Sequence, residues 1–185
     1  MTQPVLSIVR IVDPAGTPIL TSGITDRQVQ RSVYQLLDEN VLCSMASITP
    51  EGRAHISTAY FSYTPDLNVS FFSHPNALHC QNILSNPSMA LAIFSSNQTW
   101  GNPDRGLQLF GMCKLVTGRE VSKVDELYGK RFAEYTAWKA ILPPDSLGRY
   151  YQFYRFVTAE LKVFDEKEFG SGIFVVAKVR GAARR

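Results

Sequence analysis

The sequence predicts a mainly β protein, a six- to seven-stranded antiparallel barrel with a few helices. Three observations predict it. Short runs rich in β-branched and aromatic residues recur along the chain, separated by Pro/Gly/Asn/Asp turn signals. Only three segments carry a helical pattern. Most runs follow one another through short turns, which antiparallel pairing accommodates and parallel pairing does not.

The elements follow in order. VLSIVRIV is a β-branched strand that ends at the turn signal DPAGTP. In TDRQVQRSVYQLLDEN, Thr25 and Gln28 have capping-box spacing, and Val29, Val33, Leu36 and Leu37 give one apolar helix face. Asn40 is the expected helix stop. VLCSMASIT and RAHISTAYFSYT form a hairpin about TPEG, where Pro50 sets φ and Gly52 takes the permissive position. TPDLN turns the chain into VSFFS, a third barrel strand. ALHCQNILS is a short helix with Asn76 as expected cap and Pro87 blocking its continuation. SMALAIFSS is the fourth strand, and the loop NQTWGNPD leads to the fifth, RGLQLFGMCKLVT. Gly111 in the middle of that strand predicts a bulge or a close backbone approach. VSKVDELYGKRFAEYTAWKA reads as one long helix with Val124, Leu127, Tyr128, Phe132 and Tyr135 as its stripe, ended by Pro143–Pro144. FYRFVTAELKVF is the sixth strand, and IFVVAKV, after the glycines of FGSG, a seventh.

The 185 residues suffice for one domain with a real core. We expect a single unit over 1–185, with an N-terminal strand and arm over 1–24, barrel strands within 41–117 and 154–179, and a basic tail over 178–185. No apolar run approaches a membrane span, and the N-terminus lacks a signal-peptide pattern. Cys43, Cys80 and Cys113 are odd in number and widely spaced, as expected of buried thiols in a reducing compartment. The expected location is therefore cytoplasmic, with no membrane partner. The net charge of +3 is mild, and no basic stripe with interleaved aromatics predicts nucleic-acid binding.

Motifs for side-chain chemistry are sparse. SHPNALHCQNILSNP holds His74, His79 and Cys80, but not in the paired spacing of a zinc site, and no second Cys/His cluster completes a ligand shell. There is no G-x-S-x-G elbow. Cys43 and Cys113 sit in apolar strands as inert core thiols. Glu160 is the one acid inside a predicted strand. What remains is a strand that ends at Ser73 and a helix that begins near Asn76, whose N-terminal N–H groups and His79 can receive a phosphate.

The ordered motifs SMASITPEGRAHISTAYF, VSFFSHPNALHCQNILSNPSMALAIF, RGLQLFGMCKLV and FYRFVTAELKVFD resemble the pyridoxamine 5′-phosphate oxidase-like family of FMN-binding split barrels. The resemblance covers about two thirds of the chain and is closer to a side branch than to the oxidase itself. It implies a homodimer with FMN in the groove between subunits and a flavin-dependent oxidation or reduction of a small molecule. Carried over by position, it places Ser57, Thr58, Ala59 and Tyr60 along the isoalloxazine, followed by Phe72 and Ser73, with the phosphate near His79. Arg105 and Gln108 would approach from the partner subunit, and Phe164 matches the late aromatic. Leu78 and His79 stand where the oxidase carries an Arg-Lys pair, and Ser57 stands where it carries an Arg. This loss of fixed cations argues against pyridoxamine phosphate as substrate. It also keeps open a deazaflavin, a haem ligated by His74 or His79, or a non-enzymatic dimer. Trp100, in its Gly/Asn/Pro loop, suits either a ligand cover or a dimer contact.

Overall fold

The structure, a computed structural model, describes residues 5–20, 23–143 and 146–180, with 147 and 148 in backbone only. Its strands are β1 (Leu6–Val12), β2 (Leu42–Ile48), β3 (Ala54–Tyr63), β4 (Val69–Ser73), β5 (Ser88–Ile93), β6 (Arg105–Leu115), β7 (Gln152–Asp165) and β8 (Phe174–Val179). The helices are α1 (Asp26–Glu39), α2 (Leu78–Ser85), α3 (Glu120–Arg131), α4 (Ala133–Ala140), α5 (Ser146–Arg149) and α6 (Glu166–Phe169). The sheet runs β1-β8-β7-β4-β3-β2-β5-β6, and β6 also pairs with β7, so β2 to β7 close into a six-strand antiparallel barrel. β8 and β1 extend the sheet beyond the closed ring.

β7 is long because it serves three neighbours. Gln152–Phe156 pair with β4 and Glu160–Phe164 with β8, while β6 runs along the other edge. The ring encloses Met45, Phe61, Phe71, Leu91, Leu109 and Phe156, all buried. The three cysteines are buried as well. Burial pushes the Cys43 thiol up to about 12, far from a reactive thiolate.

The expected bulge forms at Gly111, where the β6–β7 register shifts. A Cβ there would lie 2.0 Å from the Val157 carbonyl oxygen, so only glycine lets the two backbones approach. Gly52 takes φ +79° in the β2–β3 turn, as its position predicts. Helix α1 starts at Thr25, whose hydroxyl accepts from the Gln28 N–H at 3.2 Å. The reciprocal half of the capping box is missing, because the Gln28 amide donates to the Glu168 carbonyl instead.

Three expectations are corrected. The long helix over 121–140 is two helices, α3 and α4, broken at extended Phe132. Gly129 lets the pair fold close together, since a Cβ there would sit 2.9 Å from Thr136 Oγ1. Asn76 is not the cap of α2: the helix begins at Leu78 without a side-chain cap, and the Asn76 N–H donates to His74 Nδ1 at 3.1 Å. The seventh strand forms as expected over Phe174–Val179, and Arg180 of the basic tail pairs with Asp26. Asp165, expected beyond the strand, ends β7 at 0% exposure. Pro144 of the expected helix breaker, and residues 181–185 of the tail, lie outside the described residues.

Candidate functional site

The barrel is split between β3 and β4. β2 covers the whole of Ala54–Tyr60 on one edge of β3. On the other edge β4 pairs only with Phe61–Tyr63. The backbone groups of Ala54–Tyr60 that face β4 therefore lack a strand partner, and an unpaired edge is a row of donors and acceptors open to a ligand. β4 itself continues to Ser73 along β7, so Phe72 and Ser73 stand on the far lip of the split.

Strand alternation sorts the residues on β3. His55, Ser57 and Ala59 are half-buried on the inward face, while Ile56, Thr58 and Tyr60 are exposed on the outer one. The inward set meets α2. Asn82 of α2 donates to Ser47 Oγ at 3.0 Å, and Ser47 Oγ lies 3.4 Å from His55 Nδ1. His79, in the first turn of α2, has its Nε2 2.8 Å from Ser73 Oγ and its ring edge-on to Phe71. Burial first, and the nearby His55 second, hold the His79 imidazole below its usual value. Two buried side-chain atoms here have no partner among the described residues, Ser57 Oγ and Asn82 Oδ1. Because α2 has no side-chain cap, the Leu78 and His79 N–H groups add to the available donors, while the Cys80 N–H already donates to the Ala77 carbonyl.

Of the predicted residues, Ser73 and His79 are bonded to each other, Tyr60 and Phe72 line one cavity, and Ser57, Thr58 and Ala59 lie along the open edge of β3. The other three predicted residues lie elsewhere in the chain. Gln108 pairs across β6 with Ala92 and Lys162. Phe164 packs on Phe174 and over Gly106, where a Cβ would come within 2.5 Å of its ring. The Arg105 guanidinium is already engaged: it meets Asp165 through Nε–Oδ1 at 3.0 Å and Nη2–Oδ2 at 3.1 Å, and Glu39 at 2.7 Å. Burial would lower this guanidinium, but the Asp165 bonds outweigh it and hold it above its usual value. Ser32 Oγ completes the knot with a 2.7 Å bond to Asp165.

Sequence reading missed two parts of the site. His55 was legible as an alternation partner of Ser57, two residues along one strand. The second part is aromatic: on the outer lip, α3 and α4 bring Tyr128, Phe132, Tyr135 and Trp138 against Phe72, Tyr60 and Tyr151 around a cavity of about 570 Å³. Its signal was the density of aromatic residues from Tyr128 to Tyr151, but helix stripe and cavity wall look alike in a sequence.

An antiparallel barrel that opens along one strand edge is a split barrel. The pyridoxamine 5′-phosphate oxidase family matches residues 30–159, and the chain belongs to this family. No curated protein matches its sequence closely. Several solved structures share the fold. A haem-binding protein of Mycobacterium smegmatis superposes with TM-score 0.64 at 15% identity, covering 80% of this chain and 56% of that one. The haem storage protein HutZ of Vibrio cholerae gives TM-score 0.59 at 16% identity, covering 79% and 93%. A Clostridium acetobutylicum protein related to general stress protein 26, of the pyridoxinephosphate oxidase family, gives 0.62 at 11% identity, covering 86% and 100%. The present chain thus spans little more than half the length of the mycobacterial protein. Among the described residues, no helix is long and apolar enough to cross a membrane.

Proposed function

We propose that the protein is an FMN-dependent oxidoreductase acting on a small molecule, with the flavin held in the split at the interface of a homodimer. The observation that carries this reading is the unpaired edge of Ala54–Tyr60 beside the uncapped start of α2. The residues fit a flavin phosphate held by neutral donors. Ser57 Oγ is a buried hydroxyl in need of a partner, and Ser73, His79 and the first-turn N–H groups of α2 add others. Along the ring, the free β3 edge offers alternating N–H and C=O groups, while Tyr60 offers an aromatic face. The flavin supplies the electron transfer when bound; the chain binds it, orients it and shields it from water.

The homodimer reading rests on the outer face of β3, β2, β5 and β6. Cross-strand pairs set Leu42 beside Tyr60, Ala46 beside Ile56, and Ala90 beside both Ala46 and Phe110. Ile56 is 71% exposed, and Leu42, Tyr60, Phe110 and Met112 are exposed with it. Small residues in the centre and large apolar ones around it suit a flat, close contact with a second copy.

A second reading, haem in the same groove, is favoured by the haem proteins among the structural neighbours. His74 is exposed but accepts the Asn76 N–H at Nδ1, which leaves its Nε2 protonated. Ligation through Nε2 would require that bond to break. Titrating the apo-protein with FMN and with hemin separates the two. Saturable flavin-fluorescence quenching at one FMN per subunit supports the first reading; a Soret shift with hemin alone overturns it in favour of the second.

A further inference from the structure

We infer that the aromatic cavity beside the split is the substrate pocket, and that it takes a planar aromatic molecule of positive charge, not a phosphate ester. The substrate role rests on the flavin reading above; the binding itself does not.

The cavity, of about 570 Å³, lies between α3–α4 and the outer lip of the split, and matches a small organic ligand. Phe72 forms its base, with Tyr151 stacked at 5.2 Å and Tyr135 and Trp138 edge-on at 5.4 and 6.0 Å. Rings wedged against one another in this way present fixed π faces and edges. Tyr60 joins the cavity to the unpaired β3 edge, so a bound ligand would sit beside the flavin position.

Charge sets the ligand class. Glu134 is the one charged side chain lining the cavity, and it makes no ion pair among the described residues. Two cations lie against lining rings, Lys139 at 6.0 Å from that of Tyr135 and Arg131 at 5.9 Å from that of Phe132, and both are engaged. Lys139 pairs with Asp125, and Arg131 donates to the Leu37 and Asn40 carbonyls at 2.6 and 2.7 Å. A phosphate would therefore meet π faces and a carboxylate, with no cation among the lining residues to pair with it. A flat cation would meet ring quadrupoles and an opposite charge.

The test uses the full chain with Trp100→Phe, so that fluorescence reports Trp138 alone. The apo-protein is titrated with 1-methylquinolinium and with 1-naphthyl phosphate, similar in ring size and opposite in charge. Saturable quenching by the quinolinium is expected, with the phosphate ester at least about tenfold weaker. Glu134→Gln should weaken quinolinium binding about threefold to tenfold without improving on the ester's rank. Equal or tighter binding of naphthyl phosphate, no saturation by either probe, or an unchanged quinolinium affinity in Glu134→Gln would each overturn the assignment. Calorimetric binding in Trp100→Phe but not in the parent would also overturn it, giving the cavity to Trp100 of a second copy. Loss of FMN binding with the quinolinium preference intact would sink the flavin reading and leave the pocket assignment standing.

Discussion

Ser73 Oγ and His79 Nε2 stand 2.8 Å apart, joining the end of β4 to the first turn of α2 across the mouth of the split. The bond holds the imidazole against Phe71 and the barrel, where burial and His55 lower its proton affinity. Because the folded imidazole binds its proton less readily than the unfolded one, the unfolded state gains protons first as pH falls. The contribution of His79 is thus complete above its ordinary value of 6.5 and is lost as pH falls from there toward the lowered folded value. The thermal midpoint of the parent should fall more between about pH 7 and about pH 5.5 than that of His79→Gln. Parallel curves for the two proteins would show that another group carries the acid sensitivity.

Asp165 and Arg105 form a two-bond pair at the junction of β6 and β7, with Ser32 bonded to the buried carboxylate. Removing one member strands a buried charge or donor. Asp165→Ala should lower the unfolding free energy by about 3 kcal/mol in urea. Glu39→Ala, which removes the more exposed partner of Arg105, should cost under about 1 kcal/mol.

The two tight glycines of β6 should differ in their tolerance of alanine. At Gly111 the new methyl meets the Val157 carbonyl, which cannot move without breaking the bulge. At Gly106 it meets the far end of the Phe164 ring, which can turn. Gly111→Ala should cost about 3 kcal/mol or prevent folding, and Gly106→Ala about 1 kcal/mol. Denaturant midpoints in the reverse order would contradict the packing described.

The exposed outer face gives the dimer proposal a direct check. Ile56→Asp places a charge on this face beside Ala46 without touching the core. Light scattering should show the parent as a dimer and this variant as a monomer, with FMN affinity reduced at least about tenfold because one wall of the groove is gone. A monomeric parent would remove the dimer from the reading.

Much of the scaffold was legible from residue order, since strands, turns and helix α1 are set by local patterns. Gly52 in its turn follows from a backbone preference that acts over a few residues, and Asn40 ends α1 by a local bond to the Leu36 carbonyl, whereas Gly111 answers the approach of the distant Val157 backbone. Part of the candidate site follows local patterns: alternation puts Ser57 and Ala59 on one face of β3, and only six residues separate the bonded Ser73 and His79.

The rest depended on contacts between segments far apart in the chain. The open edge of β3 exists because β4 pairs with it at only three positions while following β7, roughly eighty residues later in sequence, along its whole length. Arg105 has a cation's chemistry in any sequence, but only the approach of Asp165 and Glu39 commits it to the barrel wall. The tyrosines of α3 and α4 read as a helical stripe until Phe132 breaks the helix and folds their rings over Phe72. Local propensity therefore determined which segments are strands and helices. Long-range packing decided which polar groups are consumed, which backbone edge stays open, and which aromatic rings line a cavity.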